Sequence, residues 1–316
     1  MPDQIACAAR HAALVAAIAL AAGCPNGGRG AKQPYATPEA SALVAHVQKT
    51  GEQARSYFGE STMDYWVGGE RVKATVYVMG ERGAKIRFNA INPASNTTSA
   101  DLACDGTEFQ FVDYDNNCQL TGICDRNAIA QLLRVSLEPD DFLLLAVGSA
   151  PIIPNPTGTV RWDGERGAWV VDLVSPGRAW RQQLVLDGDD SDGKWEVLAS
   201  TVWDAAGQVD WRLENKEFST VEGADGRTFR VPARSKFEQP KQKADLVAVW
   251  EERDLNLEID DAKFRMTMTP GLAVCGQKGS PPTAQPPAQP QTQPPPATQT
   301  APAPTGGAAT VEPTSP

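Results

Sequence analysis

The chain has 316 residues, a formal net charge of −10, six cysteines and two histidines. This length fits one large domain or two small ones. An acidic chain without a basic run is unsuited to nucleic acid or to an anionic lipid surface, so both are excluded as partners recognised by charge.

Residues 1–23 have the composition of an export signal. A thin basic region at Arg10 and His11 precedes an unbroken apolar stretch over 12–22, which is too short for a membrane-spanning helix of about 20 residues. Two small residues stand immediately before Cys24, and this arrangement resembles the lipobox of bacterial lipoproteins. The resemblance implies cleavage before Cys24 and attachment of acyl chains such as palmitate to it; the alternative is a plain secretory signal.

Acyl chains on Cys24 would hold the protein on a membrane, because each buried methylene contributes about 0.8 kcal/mol. Under the usual sorting of such lipoproteins, Pro25 in place of Asp favours the outer membrane, with the protein facing the periplasm. Residues 24–36 are expected to form a flexible tether.

The body begins with a predicted helix over 39–58, where apolar residues recur at spacings near 3.6. From Met63 the period changes to two, with residues 72, 74, 76 and 78 on one strand face. Further strands are expected around 84–90, 99–104, 109–111 and 117–121.

A helical interlude is predicted between Asp125 and Gly148. Asp125 can cap a first helix, and Pro139 with two aspartates suits the first turn of a second. The second helix, over 142–147, is apolar nearly all round, so it must be buried or must line something apolar.

Strands return beyond Pro156, with clean alternation over 195–203, 209–213 and 255–259. These signals predict a mainly β fold: an antiparallel sheet of about ten strands, curved into a half-barrel because open edges are hazardous, and covered by the short helices. Residues 276–316 contain twelve prolines and are expected to be a disordered tail, which leaves 37–275 as the domain.

Four cysteines belong to the body: Cys104, Cys118, Cys124 and Cys275. An even number in an oxidising compartment predicts two disulfides, with all three connectivities open. Their spacing does not suit a metal site, because no close thiol pair is present.

Catalytic signatures are lacking, so the sequence predicts neither an enzyme nor a cofactor. His46 has no partner histidine and is expected at the surface. The acidic pairs 140–141, 189–190 and 260–261 fit helix starts and turns. The turn 187–193 resembles a calcium loop but lacks its distal Glu. The eight tryptophans are either core residues or the lining of a ligand cavity.

Four phrases resemble the LolA/LolB lipoprotein-carrier superfamily, as does the order of elements. Residues 78–88 look like the family's strand, turn and returning strand, with Gly83 where Pro is usual. Residues 102–106 look like its Ser-Asp-Gly hairpin, and residues 142–148 look like its apolar segment that ends in Gly. Residues 261–274 are similar to its closing strand and the Pro-Gly exit that follows.

The resemblance implies an incomplete β-barrel whose apolar concave face, covered by helices, receives acyl chains of a lipid or lipoprotein. Arg82 matches by position the arginine that holds the lid in LolA. The residues expected to contact the ligand are Val76, Val78, Arg82, Phe88, Phe109, Phe111, Phe142, Leu144, Trp203 and Trp211.

Two functions follow as hypotheses. The first is a LolB-like, membrane-anchored lipoprotein that binds acyl chains of lipids or lipoprotein cargo. The second is an envelope sensor or scaffold with a filled core that contacts a protein partner. An open groove would favour the first, and a fully packed interior would favour the second.

Overall fold

The computed structural model describes residues 30–67, 69–177, 179–187 and 195–276, without the side chain of Val67. The predicted export signal, Cys24, most of the acidic turn and nearly all of the Pro-rich tail lie outside the described residues. Within those ranges, no helix combines the length and apolar character needed to cross a bilayer.

The described ranges form three α-helices and fourteen strands. The helices are α1 (Ala40–Gln53), α2 (Arg126–Leu133) and α3 (Pro139–Ala146). The strands are β1 (Ser56–Val67), β2 (Glu70–Glu81), β3 (Lys85–Asn92), β4 (Thr97–Asp105), β5 (Glu108–Asp113), β6 (Cys118–Ile123), β7 (Thr157–Asp163), β8 (Ala168–Val174), β9 (Arg181–Asp187), β10 (Val197–Trp203), β11 (Val209–Glu222), β12 (Thr228–Gln239), β13 (Ala244–Leu255) and β14 (Ala273–Val274). Two 3₁₀ helices span Pro240–Gln242 and Asp261–Phe264.

All strands belong to one open sheet in the order β14-β6-β5-β4-β3-β2-β1-β13-β12-β11-β10-β9-β8-β7. Two meanders, β1–β6 and β7–β13, therefore meet where β1 pairs antiparallel with β13. The short β14 pairs parallel with β6, and the other pairs are antiparallel. The mainly β fold predicted from the sequence is confirmed.

Several predicted boundaries are wrong. The sheet has fourteen strands in place of about ten. Phe58 lies in β1 and not in the first helix, because buried residues alternate along this strand from Tyr57 to Tyr65. The predicted strand 255–259 ends at Leu255, because Asn256 takes a positive φ of 58° and its side chain bonds to the backbone beside α1. Residues 261–264 form a 3₁₀ helix where a closing strand was expected.

The helical interlude agrees with its sequence signals. The Asp125 side chain accepts a hydrogen bond from the Asn127 backbone N–H at 2.8 Å, as the predicted cap requires. Pro139 stands at the start of α3, and Asp140 and Asp141 occupy its first turn. Negative charge at a helix N-terminus interacts favourably with the helix dipole.

The helices cover one face of the sheet, which we call the covered face. α3 contacts β1, β2, β3 and β12; α2 contacts β1 and β4; and α1 contacts β7. Side chains from the two meanders and the helices form one apolar core between these layers. The covered face is thus the interior in which a ligand could lie.

The described part of the predicted tether is attached to the body. The Tyr35 hydroxyl accepts hydrogen bonds from the indole nitrogens of Trp169 (2.7 Å) and Trp195 (2.8 Å). The Ala31 carbonyl accepts from the indole nitrogen of Trp162 at 2.8 Å. Residues 30–36 therefore pack near β7 and β8 and do not act as a free linker.

Candidate functional site

The centre of the covered face is closed by α3. Phe142 of this helix is buried, and its ring meets Phe88 of β3 edge to face with centroids 4.9 Å apart. The same ring lies 6.3 Å from the Trp250 ring of β13. Because the sheet beneath α3 presents buried apolar side chains such as Val78 and Phe88, displacement of the helix would expose an apolar surface.

Most of the predicted ligand residues meet in this interior. Six of them are buried members of the same apolar core: Val76, Val78, Phe88, Phe109, Phe111 and Phe142. Leu144 is half-buried against α1, where a Cβ on Gly51 would lie 2.5 Å from its Cδ2, so the two helices approach closely at a glycine.

The two predicted tryptophans lie further out. Trp211 is half-buried with its ring 5.8 Å from that of Phe237, at the margin of the core. Trp203 stands apart from the core, and the Arg181 guanidinium lies 5.8 Å from its ring centroid. The remaining predicted residue, Arg82, is also outside the apolar cluster and contacts α1.

Arg82 fastens the C-terminal end of α1 to the β2–β3 turn. Its Nε donates to the Ala54 carbonyl at 3.0 Å, and its Nη2 donates to the Gly51 carbonyl. The last carbonyls of a helix lack intrahelical partners and carry partial negative charge, so a guanidinium is well suited to bind them. Arg82 thus attaches α1, and not α3, to the β2–β3 turn.

The segment before α3 is held by Gln239 of β12. Its Oε1 accepts from the Ser136 backbone N–H at 2.7 Å, and its Nε2 donates to the Ser136 carbonyl at 2.9 Å. Gln239 is buried, so no water replaces these bonds at low cost.

The segment after α3 is held by a second glutamine, Gln182 of β9. Its Oε1 accepts from the Ile153 N–H at 3.0 Å, and its Nε2 donates to the Pro151 carbonyl at 2.7 Å. Closer to the helix, Ser149 donates to the Val47 carbonyl of α1 at 3.0 Å. Both flanks of α3 are therefore fixed by a few side-chain hydrogen bonds.

The first turn of α3 combines an attachment with an unfavourable charge. Asp140 accepts from the backbone N–H groups of Gly83 (3.2 Å) and Ala84 (3.0 Å) in the β2–β3 turn. Its neighbour Asp141 is different, because burial, and then the nearby Glu138, raise its pKa to about 6. The charged form of Asp141 is therefore disfavoured by its partly buried surroundings.

A cavity of about 380 Å³ opens between α2 and strands β1 to β5. Its walls include Val72, Ala90, Phe111 and Leu132, while charged side chains such as Arg134 stand among the lining residues. Half of its lining residues are polar or charged, and its volume falls in the usual range of small-molecule sites. We call this space the α2 cavity.

A second cavity, of about 240 Å³, lies beside α1 and has a more polar lining that includes His46, Glu196 and Arg230. Glu196 and Arg230 already pair at 2.6 Å. His46 was expected at the surface, but it is half-buried, with Nε2 3.2 Å from the Trp195 backbone nitrogen and burial lowering its pKa. A helix that packs onto the sheet carries this histidine inward.

The structure selects one disulfide connectivity from the three possibilities: Cys104 with Cys124, and Cys118 with Cys275. The first joins β4 to the start of α2, and the second joins β6 to the end of the described chain. The predicted pair of disulfides is confirmed.

Groups that could hold a metal ion are absent among the residues that the structure describes. The acidic pair 140–141 lies at the start of α3, and Asp260 caps a 3₁₀ helix by accepting from the Ala262 N–H at 2.9 Å. The pair 189–190 and most of the turn 187–193 lie outside the described residues.

Sequence reasoning missed the two glutamines that hold the α3 segment. Both stand in strands, at positions whose side chains are buried. A polar residue at an inward-facing position of an alternating strand is the signal that could have indicated them, because such a group must find partners.

No protein-family model matches the chain, and no curated protein matches it. Among solved structures, a DUF1329 family protein from Desulfovibrio piger aligns with a TM-score of 0.47 and 10% identity, over 72% of this chain and 95% of that one. A LolA superfamily protein from Nitrosomonas europaea aligns with 0.46 and 11%, over 72% and 98%.

An outer membrane lipoprotein-sorting protein domain from Vibrio parahaemolyticus aligns with a TM-score of 0.45 and 9% identity, over 72% of this chain and 95% of that one. All three alignments have TM-scores below 0.5 and identities near 10%, so they concern the fold alone.

Proposed function

We propose that this protein is a non-enzymatic lipoprotein, anchored through Cys24 to the outer membrane and facing the periplasm, that binds acyl chains of lipids or lipoprotein cargo on its covered face. The observation that carries the proposal is the placement of α3. This helix of eight residues, apolar from Phe142 onward, closes an apolar interior and is held there by side-chain hydrogen bonds at its flanks.

An acyl chain requires apolar area and little polar recognition, since each buried methylene contributes about 0.8 kcal/mol. The interior supplies that area in β2, β3 and β5, through residues such as Val78, Phe88 and Phe109. The α2 cavity, which Phe111 of this core also lines, is the proposed entrance to this interior. In this proposal α3 is a lid, and an entering chain takes the place of Phe142 and its neighbours.

The attachments suit a lid because they are few and polar. Hydrogen bonds of this kind contribute about 1 kcal/mol each, so a handful of them can break when an acyl chain of a dozen methylenes enters. Asp141, in the first turn of the lid itself, favours opening further, because its carboxylate is more stable in water than in the partly buried place that it occupies here.

The test is native mass spectrometry of the full chain carrying Cys24→Ala, which removes the predicted acylation site and permits purification from a bacterial periplasm without detergent. Organic extraction then identifies what copurifies. We expect fatty-acyl species in near-stoichiometric amount. Leu144→Glu places a charge at the lid and should reduce them strongly, whereas Val249→Glu, at an exposed position of β13, should not.

The anchor has a separate test. Labelled palmitate supplied to cells that express the natural chain should be incorporated, and Cys24→Ala should abolish the label. An unlabelled natural chain would contradict the anchor without touching the acyl-binding proposal.

The second candidate, a sensor or scaffold, is favoured by one observation: the interior beneath Phe142 is packed in this structure. A protein that carries no acyl ligand and ignores added fatty acid would overturn the carrier proposal. The covered face would then be a structural core, and an envelope protein would be the expected partner.

A further inference from the structure

Tyr57 carries a buried hydroxyl without a hydrogen-bond partner. The residue lies on the covered face of β1 with 1% of its surface exposed, and its oxygen is unpaired among the described residues. Its ring packs edge to face with Trp250, 5.7 Å away, and Trp250 in turn faces Phe142 of the lid. The hydroxyl therefore lies in the interior that α3 closes.

The Tyr57 hydroxyl lies where a side chain on residue 59 would lie, and residue 59 is a glycine. A Cβ on Gly59 would lie 2.5 Å from the Tyr57 oxygen, so the ring extends along β1 and places its hydroxyl directly over Gly59. Arg253 is the residue opposite Gly59 in the β1–β13 ladder. Directly opposed residues project from the same face of a sheet, so Arg253 and the Tyr57 hydroxyl converge above this glycine.

Arg253 is a second polar group with unused capacity. It donates to the Pro232 carbonyl, and no carboxylate of the described residues acts on it. Burial lowers its pKa, and the nearby Tyr57 opposes this effect. A guanidinium has five N–H donors, so most of them remain available for an acceptor.

The Tyr57 hydroxyl is a buried neutral donor, and Arg253 is a half-buried cationic donor on the strand opposite; an oxygen acceptor placed between them would satisfy the hydroxyl. Phenylalanine at position 57 would avoid the cost of an unpaired buried hydroxyl, so a protein that needed only packing there would be better served by it. The neighbouring Trp250 ring suits an apolar ligand. The acceptor that fits both features is the oxygen at the head of an acyl chain.

We propose, building on the acyl-binding function above, that Tyr57 and Arg253 bind the carbonyl or carboxylate oxygen of the acyl chain while its tail lies along the covered face. Free fatty acids and ester-linked acyl groups of lipids or lipoproteins share this chemistry. Tyr57 and Arg253 would thus select the polar head of the ligand, whereas the rest of the site binds the tail only through buried apolar surface.

The test compares decanoic acid, methyl decanoate and decane, which share a tail and differ in the head. Their affinities are measured by displacement of bis-ANS from the full chain carrying Cys24→Ala. We expect the acid and the ester to bind at least tenfold more tightly than decane, as one or two hydrogen bonds to the head imply. Preference for the acid would indicate free fatty acids, and equal or better binding of the ester would indicate ester-linked cargo.

Tyr57→Phe and Arg253→Gln should each weaken binding of the preferred compound about tenfold and leave decane unchanged. Tyr57→Phe should also raise the melting temperature or leave it unaltered, because it removes an unpaired hydroxyl; a tyrosine with a structural role would lower it. Tyr77→Phe and Arg234→Gln, at exposed positions, are the matched controls.

Wild-type protein that binds all three compounds equally would overturn the inference, as would variants that keep the wild-type preference. Both results leave the acyl-binding proposal standing, since the tail still binds. Wild-type protein that binds none of the three would overturn the two proposals together.

Discussion

Replacing Asp141 by asparagine should stabilise the protein at neutral pH. Asp141 lies in the first turn of α3, where burial and Glu138 raise its pKa from 3.8 to about 6. The folded state therefore binds the proton more tightly than the unfolded state does. The stability that this group contributes is present below about pH 3.8 and is lost as the pH rises through about 6.

The magnitude follows from the two pKa values. A difference of about 2 pH units at about 1.36 kcal/mol each gives about 3 kcal/mol at neutral pH, which we reduce to about 2 kcal/mol because the side chain keeps some contact with solvent. Asparagine has nearly the same shape and no charge. Asp141→Asn should therefore raise the free energy of unfolding by about 2 kcal/mol near pH 7.5 and by less than about 1 kcal/mol near pH 4.

Urea unfolding of the wild type and Asp141→Asn at both pH values measures this difference. Asp140→Ala is the neighbouring control; it removes the acceptor for the Gly83 and Ala84 N–H groups and should destabilise the fold at both pH values. An Asp141→Asn variant whose stability gain is the same at both pH values, or which is less stable than wild type near pH 7.5, would refute the electrostatic reasoning.

Further predictions concern the attachments of the lid and the disulfides. Gln239→Ala leaves the Ser136 N–H and carbonyl without partners and should cost about 2 to 4 kcal/mol in urea unfolding, with faster acyl uptake than wild type; unchanged uptake would show that this bond does not restrain the lid. Removal of the Cys118–Cys275 bond, which closes a loop of 157 residues, should cost up to about 5 kcal/mol, whereas removal of Cys104–Cys124, with a separation of 20, should cost about 3 kcal/mol. Unfolding of the paired Cys→Ala variants measures both, and the reverse order would contradict the loop-length argument.

Elements whose signals are local could be predicted from the sequence. Alternation identified the strand with Val76 and Val78, because period two is a property of the backbone and survives any tertiary arrangement. The cap at Asp125 and the Pro139 start of α3 were predicted for the same reason, since a helix terminus is satisfied by residues next to it. The even set of cysteines indicated two disulfides.

Elements that depend on distant partners could not be predicted. Phe58 fits a helical spacing as well as a strand, and pairing of β1 with β2 and β13 decides for the strand. Leu255 to Ile259 alternates, but Asn256 leaves the ladder because its side chain finds the backbone of Gln53 and Arg55 some 200 residues away. Side-chain hydrogen bonds of this range have no signature in local periodicity.

The candidate site also has a part that the sequence predicts and a part that depends on the tertiary structure. Composition and period by themselves determined an apolar strand face and an apolar helix that had to cover something, because burial of apolar surface is encoded residue by residue. The meeting of β1 with β13 was decided by the tertiary structure alone, and this pairing brings Arg253 opposite Gly59 and beside the Tyr57 hydroxyl. Register between strands nearly 200 residues apart is set by the packing of the whole sheet, so the polar end of the proposed acyl site becomes visible only in the folded chain.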